Sequence, residues 1–478
     1  MNGLFESDLF RLLAARAREH PDGALCYRGE EAISNREAHD DALALAAELR
    51  RDGTRVVAAV VNDPYELHRW VWASRAASCA LALLPVVPDP DEVRTQMARV
   101  GADRLVTDVD ALADLARAPS GAARGDLPPS DDAPAFLIQT SGTTGDGKWV
   151  AVREEQIMTV LEAMQEAGSL RHAEDQIAYV TPPLSHSYGL STFFEYVRAG
   201  SALVFPRGTS PLGPAGELRA PELAARVTAI EGVSDFYAQL SRLLRRIKLP
   251  ALRHVGFGGG RIDGDALARF RETFPELTYS IRYGMTETPS IVSGMTFRPP
   301  YDDDWSSSGR VLPVWDLRIV DEAGRPLDDG EEGEIQLRGS CLAWPYYGEE
   351  NVGDAYFSTG DLGVLVDGRL SIRGRKSLFI KHGGYRISPE DVEAVLRRSD
   401  AVSDVRVLMG ENGLTAEVVC ENGELPMQAL RDFAAARLPA YAIPKNLVHR
   451  KEIPRTASGK IRRGPPPSDA TKKHPPKN

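Results

Sequence analysis

The chain has 478 residues, enough for two or three domains. At 42% hydrophobic and 26% charged it has the mix of an ordinary globular protein, not a fibrous or disordered one. A net charge of −11 argues against nucleic acid as the main partner, and no run reaches the roughly 18 apolar residues of a membrane span. Cys26, Cys79, Cys341 and Cys420 lie far apart with no C-x-x-C pair, and acidic Glu6 and Asp8 stand where a signal peptide is basic, so a cytoplasmic protein without a disulfide framework or zinc site is expected.

Asp8 to Glu19 carries Leu9, Leu12, Leu13 and Ala15 at helical spacing, and Asn35 to Arg51 is a second helix rich in alanine and leucine. The β-branched run Arg55 to Val61 reads as a strand, Tyr65 to Ala77 as a helix, and Ala80 to Val87 as a buried strand stopped by Pro88. Such alternation predicts an α/β domain with much parallel sheet. Residues 118–134, rich in Pro, Gly, Ala, Ser and Asp, form an exposed connector before the apolar strand Ala135 to Ile138. The grammar then repeats: helix 154–166, strand 177–180, helix 190–199, strand 202–205, and helices 221–230 and 237–247. From about residue 310 the texture turns β-rich, with 317–320 and 334–338 alternating between turn-forming stretches, as in antiparallel hairpins. A boundary falls near Gly374–Ser377. Beyond it Ser388 is an N-cap, Pro389 sits at N1, and Val392, Val395 and Leu396 make the buried stripe of the first helix in a compact α+β unit. The proline- and lysine-rich residues 464–478 read as a disordered tail.

The densest chemistry lies in Thr140-Ser141-Gly142-Thr143-Thr144-Gly145-Asp146-Gly147-Lys148. Glycines let backbone N–H groups approach, hydroxyls donate, and the lysine adds a point charge, which together suit phosphate oxygens. Gly142, Gly147 and Lys148 fit part of a P-loop, but Trp149 stands where a hydroxyl must hold magnesium, and a strand follows where a helix is needed. A phosphate loop of another kind is expected.

Four further motifs follow in order: Tyr283-Gly284-Met285-Thr286-Glu287-Thr288; Ser358-Thr359-Gly360-Asp361 with Gly374-Arg375; Lys381-His382-Gly383-Gly384-Tyr385; and Pro454-Arg455-Thr456-Ala457-Ser458-Gly459-Lys460. This set resembles the adenylate-forming superfamily of acyl- and aryl-CoA synthetases, peptide-synthetase adenylation domains and firefly luciferase, over nearly the whole chain to about residue 463. The resemblance implies a large N-terminal domain, 1–375, with several α/β parts and a β-rich part at about 305–375. It also implies a small mobile α+β domain, 376–463, that turns between two half-reactions. It implies ATP and Mg²⁺ as well, with CoA or a phosphopantetheine carrier as co-substrate.

Carried over residue by residue, the resemblance gives the loop residues Thr140, Ser141, Gly142, Thr143, Thr144, Gly145 and Lys148 the departing phosphates. Tyr283 stacks on adenine beside Gly259, Gly260 and Arg261, with Gly284 and Met285 in the same turn. Thr286 donates to the α-phosphate, Glu287 offers Mg²⁺ a carboxylate, and Asp361 and Arg375 take the ribose. Lys460 serves adenylation and Lys381 the second step. His186 and Tyr188 border the acid pocket, with Thr192, Tyr237, Gln239, Gly284 and Thr288 lining it. No Asp occurs between Gln176 and Val233 to hold an amino group, which disfavours an α-amino acid. Gly147 and Trp149 stand where Pro and Gly are usual, and Ser377 where the hinge is usually Asp or Lys.

The expectation is therefore ATP-dependent activation of a small aryl or acyl acid to an acyl-AMP, followed by transfer to a thiol, most simply CoA. An enzyme that loads a carrier protein or another nucleophile stays open. So does a catalytically silent nucleotide-binding regulator.

Overall fold

The computed structural model describes residues 7–86, 89–117, 133–140, 148–168, 175–208, 210, 213–260, 264–289, 291–301, 306–350, 354–376, 378, 380–382, 385–410, 413–420, 426–455 and 461–463. They divide into two compact units, within 7–376 and within 378–463. The expected tail and nearly all of the expected connector lie outside them. Among the described residues no helix is long and apolar enough to cross a membrane.

The first unit holds two sheets. The smaller runs Arg104–Thr107, Val56–Val60, Ala80–Leu83, Phe136–Gln139, Trp149–Val152, parallel except for the last strand. Val56–Val60 is buried at every position, as a strand covered on both faces must be. The larger sheet has 13 strands among the described residues. Its parallel centre runs Ala202–Val204, Ile177–Val180, Ala229–Gly232, His254–Phe257, Thr278–Tyr283. Antiparallel strands continue it through Ser293–Phe297 to Arg369–Arg375, Phe357–Val366, Glu332–Arg338 and Asp316–Val320.

Helices Asp8–Glu19, Asn35–Arg51, Pro64–Ala77, Glu154–Glu166 and Ser187–Arg198 share one apolar core with strands of both sheets. The alanine stripe of Asn35–Arg51 (Ala38, Ala42, Ala46) lets that helix sit close, and a reciprocal Ser34–Glu37 capping box starts it. Helices Ser234–Leu243 and Gly264–Thr273 join a second core around Tyr179, Ile230, Val255 and Tyr279.

Of the helices whose bounds depart from expectation, two are instructive. The one read over 221–230 ends at Arg226, and Val227-Thr228 lead into the strand Ala229–Gly232. Val and Thr lose side-chain freedom in a helix and gain packing in a sheet, so the chain switches there. The helix read over 190–199 begins at Ser187, which brings the residues after His186 onto its first turn.

In the second unit Ile380–His382 pairs with Tyr385–Ile387. Ser388 then caps helix Pro389–Arg397 by accepting from the Asp391 N–H at 3.3 Å. Strands Val402–Gly410, Gly413–Cys420 and Asn446–His449 form a sheet whose core includes Val392, Leu396, Val405, Ala416 and Leu430.

Candidate active site

The strand Thr278–Tyr283 ends at Tyr283, and the following turn carries Gly284, Met285, Thr286 and Glu287. Tyr283 donates its hydroxyl to Asp361 Oδ2 at 2.9 Å, and Arg375 Nε donates to Asp361 Oδ1 at 2.8 Å. Asp361 and Arg375 face each other across antiparallel strands, so the sheet register itself pairs them. Burial, then the Asp361 charge, pushes the Tyr283 phenol well above its usual range, so it stays a donor.

Glu287 is 8% exposed and accepts the Tyr346 hydroxyl on Oε1 at 2.9 Å. Its backbone is also held, the Ala343 N–H donating to the Glu287 carbonyl at 2.7 Å. A lone carboxylate fixed in this way fits Mg²⁺, which takes one or two protein oxygens and draws the rest from water and nucleotide phosphates.

Thr140 and Lys148 flank the expected phosphate loop, the Thr140 N–H donating to the Lys148 carbonyl at 2.9 Å. They extend the antiparallel pair Phe136–Gln139 and Trp149–Val152. Lys148 Nζ lies 3.2 Å from Glu349 and 4.2 Å from the centroid of the Tyr346 ring. Trp149 is 6% exposed and packs in the core beside Leu137 and Tyr347, which gives the unusual residue a structural place. Ser141 to Gly147, Arg261, Ser377, Gly383, Gly384 and Lys460 lie outside the described residues.

On the acid side, His186 immediately precedes helix Ser187–Arg198, and Ser187 Oγ lies 3.4 Å from Thr286 Oγ1. This contact joins the expected acid-binding segment to the expected adenylation turn. Tyr188 lays its ring against Gly258, where a Cβ would stand 2.7 Å from the ring. Gly259 has φ +72°, a conformation that favours glycine, and Gly260 follows it in the same turn.

Sequence reasoning did not single out Glu231, Glu195 and Arg282. Glu231 is fully buried and accepts the hydroxyls of Tyr188 and Tyr196, each at 3.0 Å. Arg282 donates to both oxygens of Glu195, at 2.5 and 2.6 Å, and stands 3.9 Å from Glu231. Buried charge in an otherwise apolar strand such as Ala229–Gly232 is the signal that could have found the cluster.

Four of the expected pocket residues have other surroundings that the structure describes. Tyr237 is 1% exposed and donates to the carbonyls of Gly256 and Ile230, at 2.7 and 2.9 Å, amid Phe236, Phe257 and Phe270. It is a core residue with a satisfied hydroxyl. Gln239 lies on the exposed side of Ser234–Leu243. Thr288 is fully buried, its hydroxyl bonded to the N–H and carbonyl of Met285, so it pins the turn. Thr192 is also fully buried, on the inner side of Ser187–Arg198.

In the second unit, Lys381 lies on strand Ile380–His382 opposite Arg386. The residues flanking 456–460 are tied down. Arg455 pairs with Asp404 at 2.7 Å, and Arg463 pairs with both oxygens of buried Glu393, at 2.5 and 2.8 Å. Glu393 also accepts the Val407 N–H at 2.7 Å.

Residues 13–347 match the AMP-binding enzyme family and residues 391–460 the AMP-binding enzyme C-terminal domain. The 4-coumarate–CoA ligase-like 4 protein of Oryza sativa subsp. japonica is 26% identical over 455 residues, covering 90% of this chain and 81% of that protein. The acyl-CoA ligase ppsA of Aspergillus oryzae is 33% identical over 362 residues, 69% of this chain and 61% of ppsA, so the match spans under two thirds of that relative. Among solved structures, o-succinylbenzoate CoA synthetase from Bacillus subtilis, in complex with its acyl-adenylate, superposes with a TM-score of 0.78 at 25% identity. That match covers 95% of this chain and 96% of the synthetase.

Proposed function

The chain belongs to the AMP-binding enzymes, the adenylate-forming ligases of acyl- and aryl-CoA synthetase type, and on that footing we propose that it activates a small aryl or acyl acid to its acyl-AMP and passes the acyl group to CoA. The observation that carries the reading is the meeting of both halves of the chemistry at one turn. Ser187, next to His186, reaches Thr286, while Tyr283 of the same segment reaches the Asp361–Arg375 pair. The Bacillus synthetase is also known bound to ATP and magnesium ion, which supports the same nucleotide here.

In the proposed first step a carboxylate oxygen attacks the α-phosphorus, the bond to the β-phosphate breaks, and pyrophosphate leaves with its electron pair. Two anions meet, so catalysis rests on placed positive charge and donors. Thr286 donates to the α-phosphate, Lys148 and the loop it closes grip the leaving phosphates, and Asp361 and Arg375 hold the ribose. Glu287 would hold Mg²⁺, whose role is to neutralise charge on the phosphates. Lys460 supplies the charge between carboxylate and bridging oxygen. In the second step a thiolate attacks the acyl carbonyl, the bond to AMP breaks, and the segment around Lys381 lines the thiol's approach.

Pyrophosphate exchange with a panel of carboxylic acids tests this. Exchange with at least one acid supports adenylation; ATP binding without exchange would make the chain a silent nucleotide binder. Mass analysis of the product formed with CoA, or with a holo carrier protein, identifies the acceptor.

A further inference from the structure

Where the larger sheet meets helix Ser187–Arg198, the packing is polar. Neighbouring strands place Glu231, Gly256 and Ser280 side by side in register, with His254 and Arg282 two residues along on the same face. Gly256 leaves the room that Glu231 fills, since a Cβ there would overlap the carboxylate. From the helix, Tyr188, Thr192 and Tyr196 follow at intervals of four, so they share the side that faces this cluster.

The direction of the hydrogen bonds is informative. Arg282 at 3.9 Å and His254 Nε2 at 3.5 Å stand near Glu231, and each of its oxygens accepts from a tyrosine hydroxyl. The Tyr188 proton is therefore committed to Glu231. Burial, then the Glu231 charge, keeps that phenol protonated by pushing it well above its usual range. What Tyr188 can still offer a ligand is its oxygen lone pairs, which accept a hydrogen bond.

A second observation points to a missing partner. Thr192 is fully buried, and its hydroxyl has no hydrogen-bond partner among the described residues, although it lies between two tyrosines that both reach Glu231. Native proteins seldom leave such a group unpaired. Tyr188 also follows directly on Ser187, which touches Thr286. On the ligase reading Tyr188 borders the acid pocket, and its hydroxyl would then serve the end of a small acid opposite the reacting carboxylate.

We propose that Glu231, acting through Tyr188, selects a small carboxylic acid whose far end carries an O–H or N–H donor, as an amino- or hydroxybenzoate does. This deepens the ligase reading above and rests on it. A site built around a committed acceptor rejects an isostere that cannot donate far more strongly than an apolar pocket rejects a change of size.

The test is pyrophosphate exchange by the full chain with benzoate and its amino, hydroxy and methoxy derivatives. The best donor-bearing acid is expected to exceed its methoxy and unsubstituted counterparts by at least about 100-fold in kcat/KM. Tyr188→Phe and Glu231→Gln are each expected to reduce that ratio at least about tenfold. A purely structural role would lower all acids in proportion and leave the ratio standing, and if Glu231→Gln fails to fold, Tyr188→Phe still decides. A wild type indifferent to the donor, or a ratio that survives Tyr188→Phe, overturns the relay alone. Exchange with other acids but with none of this panel also overturns it, whereas no exchange with any acid removes the ligase reading as well.

Discussion

Tyr346 holds Glu287 by donating its hydroxyl to Oε1 at 2.9 Å, from a position 59 residues further along the chain. The proposed magnesium carboxylate thus comes oriented through one of its two oxygens. Tyr346→Phe keeps the ring beneath Lys148 and removes only the O–H. It is expected to raise the magnesium concentration for half-maximal exchange about tenfold, the usual cost of losing a group that orients a metal ligand. Glu287→Gln is expected to cost more. An unchanged magnesium dependence in Tyr346→Phe would show that the hydroxyl does not orient Glu287.

Asp361 already has two partners, the Tyr283 hydroxyl and the Arg375 guanidinium, and ribose hydroxyls would join or replace them. Asp361→Asn is expected to raise the KM for ATP about 10- to 100-fold, in keeping with hydrogen bonds to a charged group. The same variant is expected to discriminate poorly between ATP and dideoxy-ATP. If it retains full discrimination between the two, Asp361 does not read the sugar.

The motifs of the nucleotide side were legible because each is a short stretch whose chemistry is local. A tyrosine, a threonine and a glutamate in one turn need no distant partner to suggest their use. The acid side was less legible because its groups meet across the fold. Glu231 lies 43 residues from Tyr188, and Arg282 lies 87 residues from Glu195. Residue type alone also does not say which way a side chain points. Tyr237 and Gln239 are two residues apart on one helix, yet the first faces the aromatic core and the second faces solvent. The parallel strand that carries Glu231 was read as the end of a helix, which hid its place at the sheet centre.

The proposed mechanism assigns the two half-reactions to two different lysines. Lys460→Ala is expected to slow adenylate formation about 100- to 1000-fold, the scale of losing one group that stabilises transition-state charge. It is expected to spare thioester formation from synthetic acyl-AMP, and Lys381→Ala is expected to show the reverse bias. Glu393→Gln weakens the anchor of Arg463, three residues after Lys460 in the chain, and is expected to give a milder version of the Lys460→Ala pattern. Equal loss of both steps in all three variants would rule out a division of labour.

His68 gives the fold a dependence on acid. It is buried, with Nδ1 donating to the Tyr65 carbonyl at 2.6 Å and Nε2 beside the Cys26 thiol. Burial lowers its pKa from 6.5 to about 4, so the unfolded chain takes up the proton first. Its contribution is complete above pH 6.5 and is lost as pH falls towards about 4, by up to about 3 kcal/mol. Urea unfolding of wild type and His68→Gln across that range checks this. The variant's stability is expected to fall less steeply with acid, and parallel slopes would show that His68 does not titrate with unfolding.

Glu231 and Gly256 occupy one space between them, and this couples their histories. A larger residue at 256 cannot arrive while the glutamate stays, and loss of the glutamate alone leaves two tyrosines without their acceptor. A larger side chain at 256 therefore has to come together with a smaller one at 231. A laboratory effort to redirect the enzyme would do better to randomise the two positions jointly than to scan them one by one.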